Sequence, residues 1–307
     1  MTAGAIGVDI GGTKIAGGLV VGGKIVRRSR RATPRHGSAS IFDAVADLVA
    51  ELRADERPVA ALGVGSPGVI DPVTGSVRSA TDTVPGWRGA EVRAELAGRT
   101  GLPVAVDNDV RAMALGECRL GSAREHGFVL HVSVGTGVGG AFSHDGVLLR
   151  GDRGTAGEIA HVLVSMRGAM PCGCGRDDHL EAVASGPAIT AAYTALSGNG
   201  SVELPEVERR MRAGDREARQ VVTAAGTQLG RALSGLVTAL DVDAVVVGGG
   251  AARLGDALLG PLTRALDAET RPEARRTPVL PTLLEADGPV LGAALLATDP
   301  TIEGEHR

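Results

Sequence analysis

A group of candidate metal ligands occurs near the middle of the chain, with two carboxylates beside it. Two thiols and two imidazoles provide four sulfur and nitrogen donors, the number that a closed tetrahedral zinc site requires. No coordination position remains for water, so the sequence predicts a structural zinc rather than a Lewis acid. A disulfide between the two cysteines is the competing interpretation. The donors are His161, Cys172, Cys174 and His179, and the carboxylates are Glu158 and Glu181.

Three glycine-rich turns follow apolar runs, and each turn could hold a phosphate group. Glycine has no side chain, so phosphate oxygens can approach the backbone N–H groups closely. In the first turn the Thr13 hydroxyl and the Lys14 ammonium can also donate, and Asp9 can hold Mg²⁺ through water. A plain hairpin turn is the alternative. The candidate residues are Asp9, Gly11, Gly12, Thr13, Lys14, Gly135, Thr136, Gly137, Gly248 and Gly249.

Two segments match G-x-G-x-x-G, a pattern found in dinucleotide-binding folds. They are Gly63–Gly68 and Gly135–Gly140. A dinucleotide fold needs this loop to open a helix whose N-terminus holds the pyrophosphate. The first segment continues into Val69–Pro72 and the second into a predicted strand. We therefore reject a nicotinamide site, and the P-loop pattern G-x-x-x-x-G-K-[ST] is absent from the chain.

Asp107, Asn108 and Asp109 lie where a predicted strand meets a predicted helix. Asp and Asn favour the N-cap of a helix, which is the structural interpretation. Ligands of α/β proteins bind at the carboxyl ends of strands, so a catalytic pair is the functional interpretation. Both can hold at once, with one residue capping the helix while Asp109 faces the substrate.

The elements that position these residues alternate between strands and helices, which indicates an α/β fold. A strand, a glycine turn and a second strand open the chain, and the same pattern returns near Phe128. Similarity at about half the chain length indicates two related lobes rather than a solenoid. We predict one lobe from residues 1–120 with the C-terminal helix 290–307, and a second lobe from residues 121–289.

Composition excludes several classes of protein. The chain has 307 residues, of which 43% are hydrophobic and 2% aromatic, and its net charge is -4. Few aromatic rings and no extended basic face argue against a nucleic-acid partner. No apolar run approaches a membrane span, and no signal peptide opens the chain, so we expect no membrane partner. Three cysteines without a disulfide framework favour a cytoplasmic protein.

Together these segments resemble the ROK family of sugar kinases over nearly the whole chain. Asp9–Lys14 is similar to the family's first phosphate motif, and Gly135–Gly140 to its second. Gly157–His161 resembles the segment whose Glu binds sugar and whose His contacts both sugar and zinc. Cys172–Glu181 resembles the zinc signature Cys-x-Cys-Gly-x-x-Gly-Cys-x-Glu, and Pro85–Trp87 fits a common Pro-Gly-Trp segment.

The resemblance implies a two-lobed, actin-like ATPase fold of the ribonuclease H-like type, with a zinc-binding loop. It also implies transfer of the γ-phosphate of ATP to the 6-hydroxyl of a hexose, with Mg²⁺ and a structural zinc. Asn108 would hold the sugar, Asp109 would be the catalytic base, and the Gly68 backbone would lie nearby. A homodimer or a tetramer, formed by helices of the second lobe, is implied too. The remaining sugar ligands would be Glu158, His161 and Glu181.

Glucose is the expected substrate, and N-acetylmannosamine, N-acetylglucosamine or an amino sugar are alternatives that share its polar anchors. Polyphosphate stays open as a donor beside ATP. Regulators of the same family carry a helix-turn-helix before the first phosphate motif, and only eight residues precede Asp9 here. We therefore expect a kinase rather than a regulator. Asp109 and both phosphate turns argue against a sugar-binding protein without catalysis.

The chain departs from the family pattern near the predicted metal and sugar sites. His179 takes the place of the third family cysteine, and Asp178 that of the preceding glycine, so we predict a Cys2His2 site. Ala160 replaces a usual glycine. Residues 81–84 stand where many glucose-type members carry asparagine, which leaves the exact hexose open.

Overall fold

The computed structural model describes residues 3–54, 57–81, 84–164, 170–198, 200–271 and 276–298. The described residues form two compact units. The first contains those within 1–125, 141–156 and 283–307, and the second those within 126–140 and 157–282. The sequence-based boundaries place residues 121–125, 141–156 and 283–289 in the second lobe, so the two divisions differ at these segments.

Strands and helices alternate along the chain, as the sequence predicts. Up to residue 125 the elements are β1 (Gly4–Ile10), β2 (Lys14–Val21), β3 (Lys24–Ala32), α1 (Ser38–Leu52), β4 (Val59–Ser66), β5 (Val69–Ile70), β6 (Val77–Ser79), α2 (Val92–Thr100), β7 (Val104–Asn108) and α3 (Asp109–Leu120). Those that follow are β8 (Phe128–Val134), β9 (Val138–His144), β10 (Val147–Leu149), α4 (Glu181–Ala184), α5 (Gly186–Ser197), α6 (Leu204–Arg212), α7 (Arg216–Leu240), β11 (Ala244–Gly248), α8 (Asp256–Glu269), β12 (Val279–Pro281) and α9 (Gly288–Leu296).

The first sheet has the strand order β3-β2-β1-β4-β7. Strands β1, β2 and β3 form an antiparallel meander, whereas β4 and β7 continue the sheet parallel to β1. Asp9 is in register with Gly65, and Gly65 with Asp107. The carboxyl ends of β1, β4 and β7 therefore meet at one edge, which brings the first glycine turn and the segment Asp107–Asp109 to the same side of this unit.

The second sheet repeats this arrangement, with the order β10-β9-β8-β11-β12. Strand β11 is parallel to both β8 and β12, and Gly248 is in register with Ser133. The turns that follow β8 and β11 consequently lie at the same edge of the sheet. This repetition is the structural counterpart of the repeated strand-and-turn pattern in the sequence. The α/β class and the actin-like architecture that the sequence predicts are confirmed.

Helix α9 packs against β1, β4 and α3 in the first unit, and glycines permit the close approach. A Cβ atom on Gly63 would lie 1.6 Å from the carbonyl oxygen of Ala293. A Cβ atom on Gly292 would lie equally close, 1.6 Å, to the carbonyl oxygen of Ala112. Gly63 opens the first G-x-G-x-x-G segment, so this glycine serves helix packing rather than a dinucleotide.

Residues 141–156 join the first unit because their apolar side chains pack against α3. Ala141 of β9 and Leu148 of β10 belong to one buried cluster with Met113, Leu115 and Ala293. Burial of these side chains against α3 decides where this segment folds. Within the described part of the chain, no helix combines the length and the apolarity needed to cross a membrane.

Candidate active site and metal centre

The first glycine turn joins β1 to β2 and is closed by backbone hydrogen bonds. The N–H of Gly11 donates to the carbonyl oxygen of Lys14 at 2.9 Å. Thr33, which follows β3, supports the turn with two hydrogen bonds. Its N–H donates to the carbonyl oxygen of Thr13 at 3.1 Å, and its hydroxyl donates to the carbonyl oxygen of Gly11 at 2.6 Å. Thr13 and Lys14 are exposed. Their hydroxyl and ammonium groups are therefore accessible to a phosphate.

Asp9 lies one residue before the end of β1, next to this turn. Burial raises the pKa of Asp9 from 3.8 to about 6, while the Lys14 ammonium partly opposes the increase. A buried carboxylate is destabilised when charged, and a bound cation relieves this cost. Carboxylate oxygens are also the ligands that Mg²⁺ prefers in proteins. The position fits a magnesium ion held directly or through water.

Asn108 is the N-cap of α3, and Asp109 is the first residue of the helix. The Asn108 Oδ1 atom accepts from the backbone N–H groups of Val110 at 2.9 Å and Arg111 at 3.2 Å. Its Nδ2 donates to the carbonyl oxygen of Gly68 at 3.1 Å. The Asp109 carboxylate also accepts from Val110 N–H, at 2.9 Å. The cap fixes both side chains at the carboxyl end of β7, so the capping and the functional interpretations are compatible.

A buried ionic network lies directly behind this pair, and sequence reasoning missed it. Asp107 and Arg111 are 4% and 2% exposed. The Asp107 carboxylate accepts from Arg150 Nε at 2.8 Å, from Arg111 Nη1 at 3.3 Å and from Asn108 N–H at 2.8 Å. Arg111 Nη2 donates to the carbonyl oxygens of Gly154 at 2.8 Å and Ala156 at 2.9 Å. Its signal in the sequence is an arginine between the apolar residues Val110 and Ala112 of α3.

The loop after β4 contributes the carbonyl group that Asn108 binds. Gly68 has φ +93, and a Cβ atom there would lie 2.4 Å from the carbonyl oxygen of Ser79, so glycine is required. Within the segment Pro85–Trp87, Trp87 has a core role, because it is 1% exposed and its Nε1 donates to Ser66 Oγ at 3.0 Å. Of residues 81–84, which stand where many glucose-type members carry asparagine, 82 and 83 lie outside the described residues.

In the second unit, the turn after β8 lies beside the glycine run after β11. The N–H of Gly135 donates to the carbonyl oxygen of Gly137 at 2.8 Å. Gly249 has φ +85, and a Cβ atom on it would lie 2.4 Å from the carbonyl oxygen of Val134. A Cβ atom on Gly135 would lie 3.7 Å from the backbone nitrogen of Gly250. The two glycine clusters, although distant in sequence, are thus neighbours.

The four predicted metal donors meet in the second unit. One donor atom from each of His161, Cys172, Cys174 and His179 lies within 4.8 Å of the other three. His179 Nδ1 is 3.2 Å from both Cys174 Sγ and His161 Nδ1. All three cysteines of the chain are free thiols, which excludes the Cys172–Cys174 disulfide in this structure.

The chemistry of this cluster fits zinc. Two sulfur and two nitrogen donors are a common set for a closed tetrahedral zinc site. Burial raises the pKa of Cys172, so a thiolate at this position requires a nearby cation. Asp178, where the family carries glycine, has φ +60. Glycine adopts this conformation freely and aspartate tolerates it, which explains both residues at this position.

His161 belongs to this cluster, and two further predicted sugar ligands, Glu158 and Glu181, lie against it. His161 lies on a short 3-10 helix, Ile159–His161, and its Nε2 is 3.7 Å from Glu158 Oε2. The opposite ring nitrogen faces His179, so one imidazole joins the metal donors to Glu158. Glu181 begins α4, and its Oε2 accepts from the backbone N–H of Val138 at 3.0 Å. This contact with the turn after β8 was not predicted from the sequence.

Comparison with known proteins places these features among sugar kinases. The ROK family model matches residues 5–300. A glucokinase of Thermotoga maritima is 34% identical over 94% of this chain and 95% of its own length. An N-acetylmannosamine kinase of Haemophilus influenzae is 32% identical over 80% of this chain and 79% of its own. A ROK family glucokinase of Streptomyces griseus, solved with glucose and AMPPNP, is 32% identical with a TM-score of 0.86, covering 96% of this chain and 99% of its own.

Proposed function

The chain belongs to the ROK family and is a sugar kinase, and from this premise we propose that it transfers the γ-phosphate of ATP to the 6-hydroxyl of glucose. The choice of glucose rests on one observation. Over nearly its whole length, the chain is similar to a glucokinase solved with glucose and an ATP analogue. The alternative sugar is N-acetylmannosamine, which the name of another relative supports.

We assign the role of catalytic base to Asp109. Its carboxylate would accept the proton of the sugar hydroxyl as the oxygen attacks the γ-phosphorus in line. Asn108 would bind a neighbouring hydroxyl, and its amide is already oriented by the N-cap hydrogen bonds and by the Gly68 carbonyl oxygen. Such orientation of the reactants can supply roughly 7–11 kcal/mol of the reduction in the barrier.

The glycine turns Gly11–Thr13 and Gly135–Gly137 would each hold phosphate groups. Backbone N–H groups stabilise the charge that develops during phosphoryl transfer without reorganising. Lys14 is exposed beside the first turn and would add a positive charge. Mg²⁺, when bound near Asp9, would neutralise part of the triphosphate charge. Gly248 and Gly249 would complete the nucleotide site beside Gly135.

A structural zinc held by His161, Cys172, Cys174 and His179 would stabilise the sugar-binding loop. The His161 imidazole would then be fixed by the metal through one ring nitrogen and would orient Glu158 through the other. Glu158, His161 and Glu181 would bind sugar hydroxyls. This role for the metal is to hold protein side chains in place, and no catalytic step passes through it.

A coupled assay of ADP release over a panel of hexoses tests the proposal. We expect the highest kcat/KM with glucose, lower values with N-acetylmannosamine, N-acetylglucosamine and glucosamine, and no activity without sugar. A preference for N-acetylmannosamine would replace glucose by the alternative sugar. ADP release that does not depend on any sugar would contradict kinase activity. Polyphosphate in place of ATP tests the donor in the same assay.

We further propose a cytoplasmic enzyme that forms a homodimer. The three free thiols are consistent with a reducing compartment. Light scattering of the purified chain measures its mass in solution: a mass of twice 31.0 kDa supports the dimer, and a mass of four times that value supports the tetramer.

A further inference from the structure

Glu181 connects two segments of the second unit. One is the metal loop, Cys172–His179, and the other is the proposed phosphate turn, Gly135–Gly137. The Glu181 Oε2 atom accepts the N–H of Val138, the residue that follows Gly135–Gly137, at 3.0 Å. A Cβ atom on Gly137 would lie 2.5 Å from the same oxygen, so the carboxylate lies tightly against this turn. Its other oxygen, Oε1, is 4.0 Å from Cys172 Sγ. One side chain thus contacts both sites.

The surrounding backbone fixes where Glu181 can lie. The N–H of Leu180 donates to the carbonyl oxygen of Val162 at 2.9 Å, and the N–H of Ala182 to that of His179 at 2.9 Å. Leu180 itself is fully buried. The start of α4 is therefore held on Val162, the residue that follows His161, and on the last metal donor, His179. Displacement of the metal loop would displace Glu181 as well.

The phosphate turn has one further support of the same kind. At the start of α5, the N–H of Gly186 donates to the carbonyl oxygen of Gly135 at 2.8 Å. Glu181 and Gly186 thus hold the two ends of the turn from one short stretch of chain. A hydrogen bond from a backbone N–H to a carboxylate is stronger than one between neutral groups. The Glu181 contact is accordingly the stronger of the two supports.

We propose that Glu181 is a positioning residue for the nucleotide, and that the metal loop controls nucleotide affinity through it. This inference rests on the proposed function, and it adds a second task to a residue assigned to the sugar. The carboxylate holds the Gly135–Val138 turn in the conformation that receives phosphate. Loss of the carboxylate, or of the metal that fixes its loop, weakens nucleotide binding even when no sugar is present.

Titration calorimetry with Mg²⁺ and AMPPNP, on the full chain without sugar, tests this role. We expect Glu181→Ala to raise the Kd by roughly 5- to 10-fold, the change that corresponds to a lost hydrogen bond of about 1–1.5 kcal/mol. Glu181→Gln keeps an oxygen acceptor and should stay within about 3-fold of wild type. Glu203→Ala is the matched control: it removes an exposed carboxylate of the same unit, at the N-cap of α6 where the side chain makes no capping hydrogen bond, and should leave the nucleotide Kd unchanged.

The outcomes separate this inference from the proposed function. If wild type binds AMPPNP and Glu181→Ala binds it equally well, the positioning role is wrong while the kinase assignment stands. If wild type does not bind the nucleotide at all, both the positioning role and the proposed kinase function are wrong. Tighter binding by Glu181→Gln and Glu181→Ala alike would show that the carboxylate acts by repelling phosphate, which also overturns the role. Unfolding temperatures near that of wild type establish that the variants are folded.

Removal of the metal tests the connection to the loop. After chelation and return to buffer with Mg²⁺, wild type should bind AMPPNP more weakly, whereas Glu181→Ala should lose little further affinity. Such non-additivity is expected of two changes that act through one contact. Equal weakening of both proteins, or no change in wild type, would overturn the connection between the metal and the nucleotide.

Discussion

Asp9→Asn is expected to stabilise the ligand-free protein while it abolishes kinase activity. Burial raises the pKa of Asp9 from 3.8 to about 6 in the folded protein, against the opposing Lys14 charge. The difference between these two values corresponds to roughly 3 kcal/mol of folding free energy once the group is ionised. Asparagine has nearly the same shape and carries no charge, so the variant avoids this cost and loses the ligand proposed for Mg²⁺.

The pH dependence follows from the protons that each state binds. Between pH 3.8 and about 6 the folded protein retains the Asp9 proton more strongly than the unfolded chain does. The free energy of unfolding of the wild type therefore falls as pH rises through this window. Below it, Asp9 is protonated in both states and the two proteins should be equally stable. Above about pH 6, Asp9→Asn should be more stable than wild type by the full difference of roughly 3 kcal/mol.

Thermal unfolding without nucleotide and Mg²⁺ measures the effect. At about pH 7.5 the Tm of Asp9→Asn should exceed that of wild type by roughly 5 °C, and the difference should vanish near pH 4. Asp71→Asn is a control of opposite sign, because hydrogen bonds from the Thr74 N–H and the Arg78 guanidinium lower the pKa of Asp71 to about 2. This control should be less stable than wild type at neutral pH. An Asp9→Asn protein no more stable than wild type at pH 7.5 would refute the reasoning.

Three further predictions concern other parts of the molecule. Asp109→Asn should lower kcat by roughly 10²–10⁴-fold without changing the unfolding temperature, and residual activity above a few per cent would remove Asp109 from the role of base. Cys172→Ser should lose bound zinc by elemental analysis and raise the KM for glucose, because His161 and Glu158 are fixed through the metal loop. Normal sugar affinity in a zinc-free protein would contradict that coupling. Glu117→Gln should lower the free energy of unfolding by roughly 2–3 kcal/mol in urea titrations, since this fully buried carboxylate accepts three backbone N–H groups. An unchanged urea midpoint would show that the amide satisfies all three donors.

Much of the site could be predicted from short segments of sequence. The first glycine turn and the pair Asn108 and Asp109 depend on local chemistry, namely small residues that follow an apolar strand and residues that cap a helix. The strands and helices around them were predicted for a similar reason, because their hydrophobic periods are local. The repeated strand-and-turn pattern further indicated two related lobes.

The sequence by itself determined which residue types are available and where the chain must turn, whereas only the tertiary structure decided which of them meet. Arg150 reaches Asp107 across 43 residues, and Glu181 reaches Val138 across the same separation. No short-range pattern encodes these partners, because helix and sheet packing bring them together. Gly63 shows the same limit: the sequence sufficed to reject a dinucleotide loop there, but only the structure shows why glycine is needed, because the backbone of α9 lies so close that no Cβ atom fits.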